Sequence, residues 1–437
     1  MKQDEALFNL RAVIQQTGLK PDTLRAWERR YGLPMPERTG GGHRLYSARD
    51  VETVRWLMAR QREGLSIRRA VNLWRQIEAE GRDPVQAAMP IASRAVSVPA
   101  ARAVGEAIRR HREKWLAASL AFDEQQAEQV LAEAFAVYPV ETVILEMLQK
   151  GMAGIGDGWS GGEVTVQQEH FCSSLVMRHL ESLILATPPP SRPGRIVAAC
   201  PGKEEHTIGL LMLSVLLRRR GWEVVYLGAN VPTEHLEVTV RVTQPTLVIL
   251  AAQQLSTAAS LLEAAQLLAA EGVPVAYGGL IFNRIPELRD RIPGHFLGEG
   301  LAPAPQGVET LMIAPRSASP VQAVPEAYPR ARKHFGERQG LIEAQIVQAL
   351  LPKGMALSAL TTVNQEMGLN IDAALALGDM RFLGSDMRSV VGLIEQHGLA
   401  IEVPGTYLEA YYQMAREQLD ERGEPIVAWL GTMVNAS

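Results

Sequence analysis

Between residues 194 and 314, short apolar runs alternate with longer segments of helical periodicity. The apolar runs are rich in Val, Ile and Leu, as strands buried on both faces usually are. The segments between them are long enough to be helices that cross from one strand to the next. This alternation predicts a parallel, doubly wound α/β sheet. The expected strands are residues 196–200, 223–227, 247–252, 273–277 and a weaker 295–297.

The pattern on both sides of this sheet is helical. Four amphipathic segments precede it, with lengths and short connections typical of a bundle: 116–121, 123–136, 139–155 and 165–185. Glycine-rich residues 154–162 are expected to form a loop before the last of them. After the sheet, helices are expected at 341–351, 356–367, 371–382, 386–397, 407–421 and 426–434, with Asn370, Ser385 and Gly398 as caps.

The N-terminal pattern predicts two short helices around a glycine turn. Residues 10–17 form the first, which Gly18 ends, and Pro21 begins a second that runs to Tyr31. A glycine-centred hairpin follows at 37–46, and Ser47 is expected to cap a third helix, 48–60. A fourth begins at Ser66. This order is typical of a helix-turn-helix with a wing.

A chain of 437 residues is too long for one ordinary core. We therefore expect a multidomain α and α/β protein. A winged helix-turn-helix occupies residues 1–80, a four-helix bundle 104–190 and a Rossmann-like parallel α/β domain 191–314. A linker rich in Pro, Ala and Ser, 315–337, leads to a helical domain at 338–437.

Charge is concentrated in the first domain. Residues 1–75 contain 15 Lys and Arg against 8 Asp and Glu, whereas the whole chain has a formal net charge of −4. This imbalance indicates an anionic partner for the first domain, and double-stranded DNA is the obvious candidate. The sequence has two cysteines and no secretory pattern at its start, which favours a cytoplasmic protein. It has no apolar run near the ~20 residues that span a bilayer, so no membrane partner is expected.

Residues 23–31, Thr-Leu-Arg-Ala-Trp-Glu-Arg-Arg-Tyr, and the Gly-Gly-His-Arg-Leu-Tyr segment at 41–46 closely resemble the MerR winged-helix domain. The resemblance implies a dimer on a palindromic operator, and a basic protein-interaction module is the alternative. Trp27 is expected in the core, and Arg29 is a further candidate for DNA contact. The residues expected to contact DNA are Arg25, Arg30, Tyr31, Arg38, His43, Arg44 and Tyr46.

A histidine follows the first strand of the predicted sheet, within Pro-Gly-Lys-Glu-Glu-His-Thr-Ile-Gly at 201–209. Ligands of open α/β sheets bind beyond the carboxyl ends of the strands. A neutral imidazole can bind a metal through one nitrogen while a carboxylate fixes the other, and Glu204 is placed to do so for His206. The alternative is a surface histidine at a helix start.

This segment resembles the Asp-x-His-x-x-Gly signature of cobalamin-binding domains, with Glu204 in place of the aspartate and Gly209 as the glycine. The resemblance implies that His206 is the lower axial ligand of the cobalt. In the same family a Ser-x-Leu segment and a Gly-Gly pair line the slot for the cofactor's nucleotide tail. Ser256, Gly278 and Gly279 match these positions, while Ala258 stands where the leucine would be. Ordinary turn chemistry is the alternative for each.

Trp159 is followed after nine residues by Glu169 and His170, a spacing that resembles the light-responsive CarH/LitR regulators. The resemblance implies that the bundle caps adenosylcobalamin, with Trp159 over the adenosyl group and Glu169 and His170 beside it. The alternative is a core tryptophan and a satisfied polar pair. Well-studied members have a histidine directly after this tryptophan, and this chain has Ser160.

These resemblances imply a non-enzymatic, adenosylcobalamin-dependent, light-responsive repressor that binds DNA as a homo-oligomer, a dimer or a tetramer, in the dark. Two other functions remain open: a corrinoid-binding methyl carrier, and a regulator that senses cobalamin without light. Residues 338–437 lie outside the resemblance. They are expected to stabilise or oligomerise the protein, or alternatively to hold a second ligand with aromatics at Tyr407, Tyr411, Tyr412 and Trp429.

Overall fold

The computed structural model describes residues 6–17, 19–38, 44–62, 67–79, 84, 98–314, 321–384 and 403–436. The chain divides into two compact units, Met1–Gly105 and Glu106–Ser437. Within the described ranges, no helix is both long and apolar enough to cross a membrane.

The first unit is a small helical fold with an antiparallel three-stranded sheet of order β1-β3-β2. The predicted helix-turn-helix is confirmed at both predicted helices, and β1 was not expected from the sequence. Its elements are β1 (Ala6–Asn9), α1 (Leu10–Thr17), α2 (Pro21–Tyr31), β2 (Glu37–Arg38), β3 (Arg44–Ser47), α3 (Ala48–Arg62) and α4 (Ile67–Ala79).

Local chemistry sets the ends of α2 and the start of α3. Pro21 is suited to the first position of α2 because its missing N–H would have no helical partner there, and Gly32 ends the helix with φ of 70°. Ser47 and Asp50 cap α3 reciprocally. The Ser47 hydroxyl accepts from the Asp50 backbone N–H at 3.1 Å, and the Asp50 carboxylate accepts from the Ser47 backbone N–H at 2.9 Å.

The second unit begins with four helical segments that share a core. They are α5 (Val98–Leu120), α6 (Glu124–Val137), a third helix α7, and α8 (Val166–Leu185). Helix α7 is continuous: Val140–Thr142, a π-helical turn Val143–Gln149, and Lys150–Ser160. In the π-helical turn, the Arg112 guanidinium donates to the Glu146 carbonyl at 2.7 Å. Thr165 and Gln168 form a capping box that begins α8.

The prediction of a glycine-rich loop at 154–162 is wrong, because α7 continues to Ser160. Tight packing explains the glycine at position 158 of this helix. A Cβ on Gly158 would lie 2.7 Å from Val164 Cγ2, so the absence of a side chain lets the following turn fold back onto the helix. Helix α5 is also much longer than the predicted segment 116–121.

The predicted parallel sheet is confirmed, with strand order β5-β4-β6-β7-β8. The strands are β4 (Arg195–Pro201), β5 (Glu223–Val231), β6 (Leu247–Ala251), β7 (Val275–Gly278) and β8 (His295–Phe296). The helices of this part are α9 (Ile208–Arg219), α10 (Leu236–Thr243), α11 (Leu255–Ala270), α12 (Ile281–Arg284) and α13 (Ala304–Ile313).

Helix α9 lies between the sheet and the bundle. Leu211, Met212 and Val215 belong to the bundle core, whereas Leu210 and Leu213 pack with the strands. Both faces of the helix are therefore apolar, as its sequence Ile-Gly-Leu-Leu-Met-Leu-Ser-Val-Leu-Leu shows. This burial joins the bundle to one face of the sheet.

Among the described residues, four α-helices follow α13: α14 (Ala327–Leu350), α15 (Leu357–Leu377), α16 (Val403–Gln418) and α17 (Glu424–Ala436). The linker predicted at 315–337 is too long, since α14 begins at Ala327. The predicted break near Asn370 is also wrong: α15 is continuous there, and the Asn370 amide donates to the Glu366 carbonyl at 3.0 Å. The predicted helix 386–397 lies outside the described residues, as do the caps Ser385 and Gly398.

These C-terminal helices share one hydrophobic core with the second face of the sheet. Helix α11 lies between them, packing against α15 on one side and the strands on the other. The Arg332 guanidinium donates to both carboxylate oxygens of Asp372, at 2.7 and 2.9 Å, and links α14 to α15. The candidate aromatics Tyr407, Tyr411 and Trp429 lie in this core, and Tyr412 is partly buried against it.

Gly151→Ala is expected to destabilise the apoprotein. A Cβ at Gly151 would lie 2.8 Å from the ring of Trp115, which is buried in the bundle core. The overpacking should cost about 1–3 kcal/mol and outweigh the gain of up to about 1 kcal/mol in helix propensity. Thermal unfolding followed by circular dichroism should therefore show a lower Tm.

Gly154→Ala is the matched control on the same helix. Its Cβ would meet no atom of the described residues within 4 Å, so only the propensity gain of up to about 1 kcal/mol applies and Tm should rise. Equal shifts in the two variants would contradict the packing that the structure shows around Trp115.

Candidate functional site

The loop between β4 and α9 carries His206 and is held by the end of the neighbouring strand. The Lys203 N–H donates to the Asn230 side-chain carbonyl at 2.7 Å, and the Asn230 N–H donates to the Glu204 carbonyl at 3.0 Å. Lys203 and Asn230 both have positive φ, 70° and 51°. The loop is therefore fixed in an unusual backbone conformation beyond the carboxyl ends of β4 and β5.

Glu204 and His206 form the pair that the sequence predicts. One carboxylate oxygen of Glu204 lies 2.7 Å from His206 Nδ1 and accepts from the His206 backbone N–H at 2.9 Å. The longer arm of glutamate therefore does reach the ring. Because Nδ1 is engaged by the carboxylate, Nε2 is the nitrogen left for a metal. The His206 side chain is 60% exposed, whereas that of Glu204 is fully buried.

Two further residues complete the surroundings of Glu204. Its second carboxylate oxygen accepts from the Gln253 backbone N–H and from the Thr257 hydroxyl, both at 2.6 Å. Sequence reasoning missed Thr257 and singled out the adjacent Ser256, which is half-buried. The available signal was that Thr257 is the one polar residue among the buried positions of α11, since a buried hydroxyl needs a partner.

The pair is electrostatically coupled. Burial raises the pKa of Glu204, but hydrogen bonds from His206, Thr257 and Gln253 outweigh it and the net pKa is lowered. The pKa of His206 is raised, first by its hydrogen bond to Glu204 and against the opposing effect of burial, and the negative charge of Glu169 adds to the increase. The Glu204 carboxylate is thus ionised and orients the ring.

The candidate glycines differ in what they do. Gly279 has φ of 125°, and a Cβ there would lie 1.8 Å from the Ala252 carbonyl oxygen, so the backbone itself requires glycine. A Cβ on Gly209 or Gly278 would meet no atom of the described residues within 4 Å. These two glycines leave space, as the approach of a flat group would require.

The candidate residues of the bundle lie at one of its ends. Trp159 is in the last turn of α7 rather than in a loop, and its ring is 38% exposed. Glu169 lies in the first turn of α8 and makes a 2.9 Å contact with His170 Nδ1. The Ser173 hydroxyl donates to its other carboxylate oxygen at 2.6 Å.

Helix packing places this end of the bundle near the histidine loop. Helices α8 and α9 are in contact, and Glu169 and His206 lie at or near their N-terminal ends. The opposite ends of the helices agree with this placement, since Arg219 Nε at the end of α9 donates to Glu141 at the start of α7 at 2.8 Å. The side chain of Ser160 is outside what the structure describes.

The first unit presents its own candidate surface on α2. Arg25, Arg29 and Arg30 are exposed, and Tyr31 is half-buried. Trp27 is buried in the core, as predicted. Of Arg38 only the backbone is described, and His43 lies outside the described residues.

Tyr46 was wrongly predicted to contact DNA. Its side chain is fully buried and its hydroxyl donates to Glu28 at 2.5 Å. Arg44 is 32% exposed, and its Nε donates to the other oxygen of Glu28 at 2.7 Å. Tyr46 and Ser47 form the buried half of β3, which the sequence pattern of the hairpin did not show.

Three family models match the chain. Residues 194–306 and residues 111–184 each match a B12 binding domain model, and residues 8–77 match the MerR HTH family regulatory protein model. The second unit therefore contains B12-binding domains. Within the described ranges, no group of three or more His, Cys, Asp or Glu side chains could hold a metal ion.

Several known proteins are similar to parts of this chain. The HTH-type transcriptional repressor CarH of Myxococcus xanthus is 34% identical over 245 residues, 55% of this chain and 77% of CarH. CarA of the same organism is 33% identical over 283 residues, 62% of this chain and 86% of CarA. The solved Methanosarcina barkeri monomethylamine corrinoid protein is 19% identical, covers 46% of this chain and 96% of its own, and has a TM-score of 0.39.

The matched domains occur in one chain, and the similarity extends over most of CarH and CarA. The chain therefore belongs to the family of MerR-type, B12-binding transcriptional regulators that includes CarH and CarA.

Proposed function

We propose that this protein is a cytoplasmic, non-enzymatic transcriptional repressor that binds its operator in the dark with adenosylcobalamin and releases it in light. The observation that carries the proposal is the His206–Glu204 pair, with its orienting donors, in a chain that also carries an arginine-rich MerR helix. The relatives CarH and CarA are named transcriptional repressors, which supports the same direction of control.

The residues of the loop fit a corrin cofactor. His206 would bind the cobalt through Nε2, Glu204 would hold the ring through Nδ1, and Gly209 and Gly278 leave space beside it. Ser256 and Gly279 would border the nucleotide tail. When bound, adenosylcobalamin supplies a cobalt–carbon bond that light can cleave.

The bundle residues would border the opposite face of the corrin. Trp159 offers an exposed aromatic surface, and the Glu169–His170 pair lies at the same end of the bundle. The adenosyl group would favour the oligomer in which the bundle covers it. A ligand shifts the equilibrium between two assemblies only when it binds one of them more tightly than the other. A dimer or tetramer would raise the effective concentration of DNA-binding helices on the operator.

DNA recognition would use the exposed face of α2. Arg25, Arg29 and Arg30 are exposed there, with Tyr31 beside them, and we propose that this helix enters the major groove. The wing, with Arg38 and His43, would contact the phosphate backbone. The surplus of positive charge in residues 1–75 supports this arrangement.

Ser160 favours a second candidate function, a cobalamin-sensing regulator that does not use light. A histidine directly after Trp159 is absent from the sequence, so no imidazole at that position can bind the cobalt after the adenosyl group has left. His170, which is 75% exposed, or water would have to take that place. A methyl carrier is disfavoured, because residues 8–77 match a DNA-binding regulatory domain.

Size-exclusion chromatography with absorbance spectra tests the proposal directly. Full-length protein mixed with adenosylcobalamin should elute in the dark as a cobalamin-loaded oligomer, and green light should change its spectrum and reduce its size. Binding without any effect of light would favour the light-independent sensor. Retention of methylcobalamin but not adenosylcobalamin would favour the carrier.

His206→Ala is expected to abolish histidine ligation of the cobalt. Adenosylcobalamin should bind at least tenfold more weakly, and its dark spectrum should lose the histidine-ligated form. His170→Ala, on the opposite side of the proposed site, is the matched control and should keep that form in the dark. An unchanged spectrum and affinity in His206→Ala would remove His206 from the metal site.

Cobalamin affinity should fall as the pH is lowered through the pKa of His206, because a proton then occupies Nε2. This pKa is raised chiefly by Glu204, so the fall should begin above the ordinary value of about 6.5. Glu204→Gln removes that cause and should move the midpoint to lower pH. His206→Ala should show no such transition, and an unshifted midpoint in Glu204→Gln would contradict the coupling.

A further inference from the structure

A carboxylate lies on the helix that is proposed to read DNA. Glu28 is near the end of α2, next to the exposed Arg29 and Arg30. Phosphates repel an anion at such a position, so an acidic residue there ordinarily weakens DNA binding. The Glu28 side chain is only 10% exposed, however, and points away from solvent.

Both oxygens of Glu28 are occupied by one strand of the wing. Oε2 accepts from Arg44 Nε at 2.7 Å, and Oε1 accepts from the Tyr46 hydroxyl at 2.5 Å. Arg44 and Tyr46 lie on β3, two residues apart. The carboxylate therefore connects α2 to the wing through two hydrogen bonds, one of them charge-assisted at both ends.

The position of this contact along β3 matters. The Ser47 end of the strand is already fixed, by its backbone hydrogen bond to Asp50 and by pairing with β1. Arg44 is at the other end of β3, where this strand pairs with the short β2. Glu28 is thus placed to fix the Arg44 end of β3.

Arg44 stays a predicted DNA contact and is at the same time the ion-pair partner of Glu28. Its Nε is bound to Glu28, and the opposite charges of the pair cancel, so Arg44 adds little net positive charge to the DNA-binding surface. Loss of Arg44 would leave the largely buried carboxylate of Glu28 without its counterion, which is costly. Loss of the Glu28 charge would leave Arg44, which is 32% exposed, without the contact that fixes its side chain.

We propose that Glu28 is a positioning residue that holds the wing against the recognition helix, so that this carboxylate increases DNA affinity instead of decreasing it. The inference rests on the proposed DNA-binding function. The proposal predicts that removing the charge of Glu28 weakens DNA binding, whereas charge alone predicts that DNA binding becomes tighter.

The test uses the full chain with adenosylcobalamin in the dark. The probe is a fluorescein-labelled duplex enriched from a random-sequence library by the wild-type protein, and binding is followed by anisotropy at several salt concentrations. Glu28→Gln, which keeps the shape and removes the charge, should bind about tenfold more weakly or worse. Its dependence on salt should be shallower, because fewer wing residues reach phosphates.

Asp22→Asn is the matched control. Asp22 is an acidic residue in the first turn of the same helix, its side chain is 97% exposed, and its ion pair with Arg25 is long, at 3.8 Å. Removing this charge should leave the affinity unchanged or increase it. The two neutralisations on one helix should therefore act in different directions.

Tyr46→Phe separates positioning from folding, because it keeps the buried ring and removes one donor to Glu28. It should weaken DNA binding in the same direction, by a smaller factor, with little change in thermal unfolding. If Glu28→Gln does not fold, the DNA affinity of Tyr46→Phe alone tests the inference. Wild-type affinity or tighter binding in both variants would overturn the inference alone, whereas a wild-type chain that enriches no duplex would overturn the proposed function as well.

Discussion

The Glu204 carboxylate is the constraint on which the candidate cofactor site depends. It is fully buried, and a buried anion is stable only when its oxygens accept hydrogen bonds. Its donors come from two segments, the His206 loop after β4 and the Gln253–Thr257 region after β6. Meeting this requirement brings the ends of two adjacent strands together and fixes the imidazole in one orientation.

Two helices buried on both faces extend this constraint to the rest of the second unit. Helix α9 starts at the histidine loop and separates the sheet from the bundle, and α11 starts at the Thr257 region and separates the sheet from the C-terminal helices. A movement of the histidine loop would therefore displace helices on both sides of the sheet, because packed interiors transmit strain.

Most of the fold could be predicted because it depends on local signals. Pro21 and Gly32 mark the ends of α2, and runs of Val, Ile and Leu mark the strands. The failures involve contacts between residues distant in the chain. The sequence could not show that Gly158 packs on Val164 within a continuous helix, or that Gly368 inside α15 lies against the Gln339 side chain instead of ending the helix.

The site was predictable to the same extent. Glu204 and His206 could be predicted as a pair, because they are two residues apart and belong to one short motif. Thr257 lies 53 residues beyond Glu204 and could be recognised only once the fold placed it there. For Tyr46, a basic and aromatic hairpin suggested DNA contact, while its buried hydrogen bond to Glu28 depends on the packing of β3 against α2.

The π-helical turn in α7 has a consequence for chain length. A turn of this kind accommodates about one residue more than an α-helical turn, and Arg112 satisfies a carbonyl within it. The surplus residue is absorbed before Gly151, so the segment that ends at Trp159 keeps the rotational phase that a helix one residue shorter would give it. Deletion of one residue from this turn would therefore restore ordinary α-helical geometry without rotating Trp159 about the helix axis.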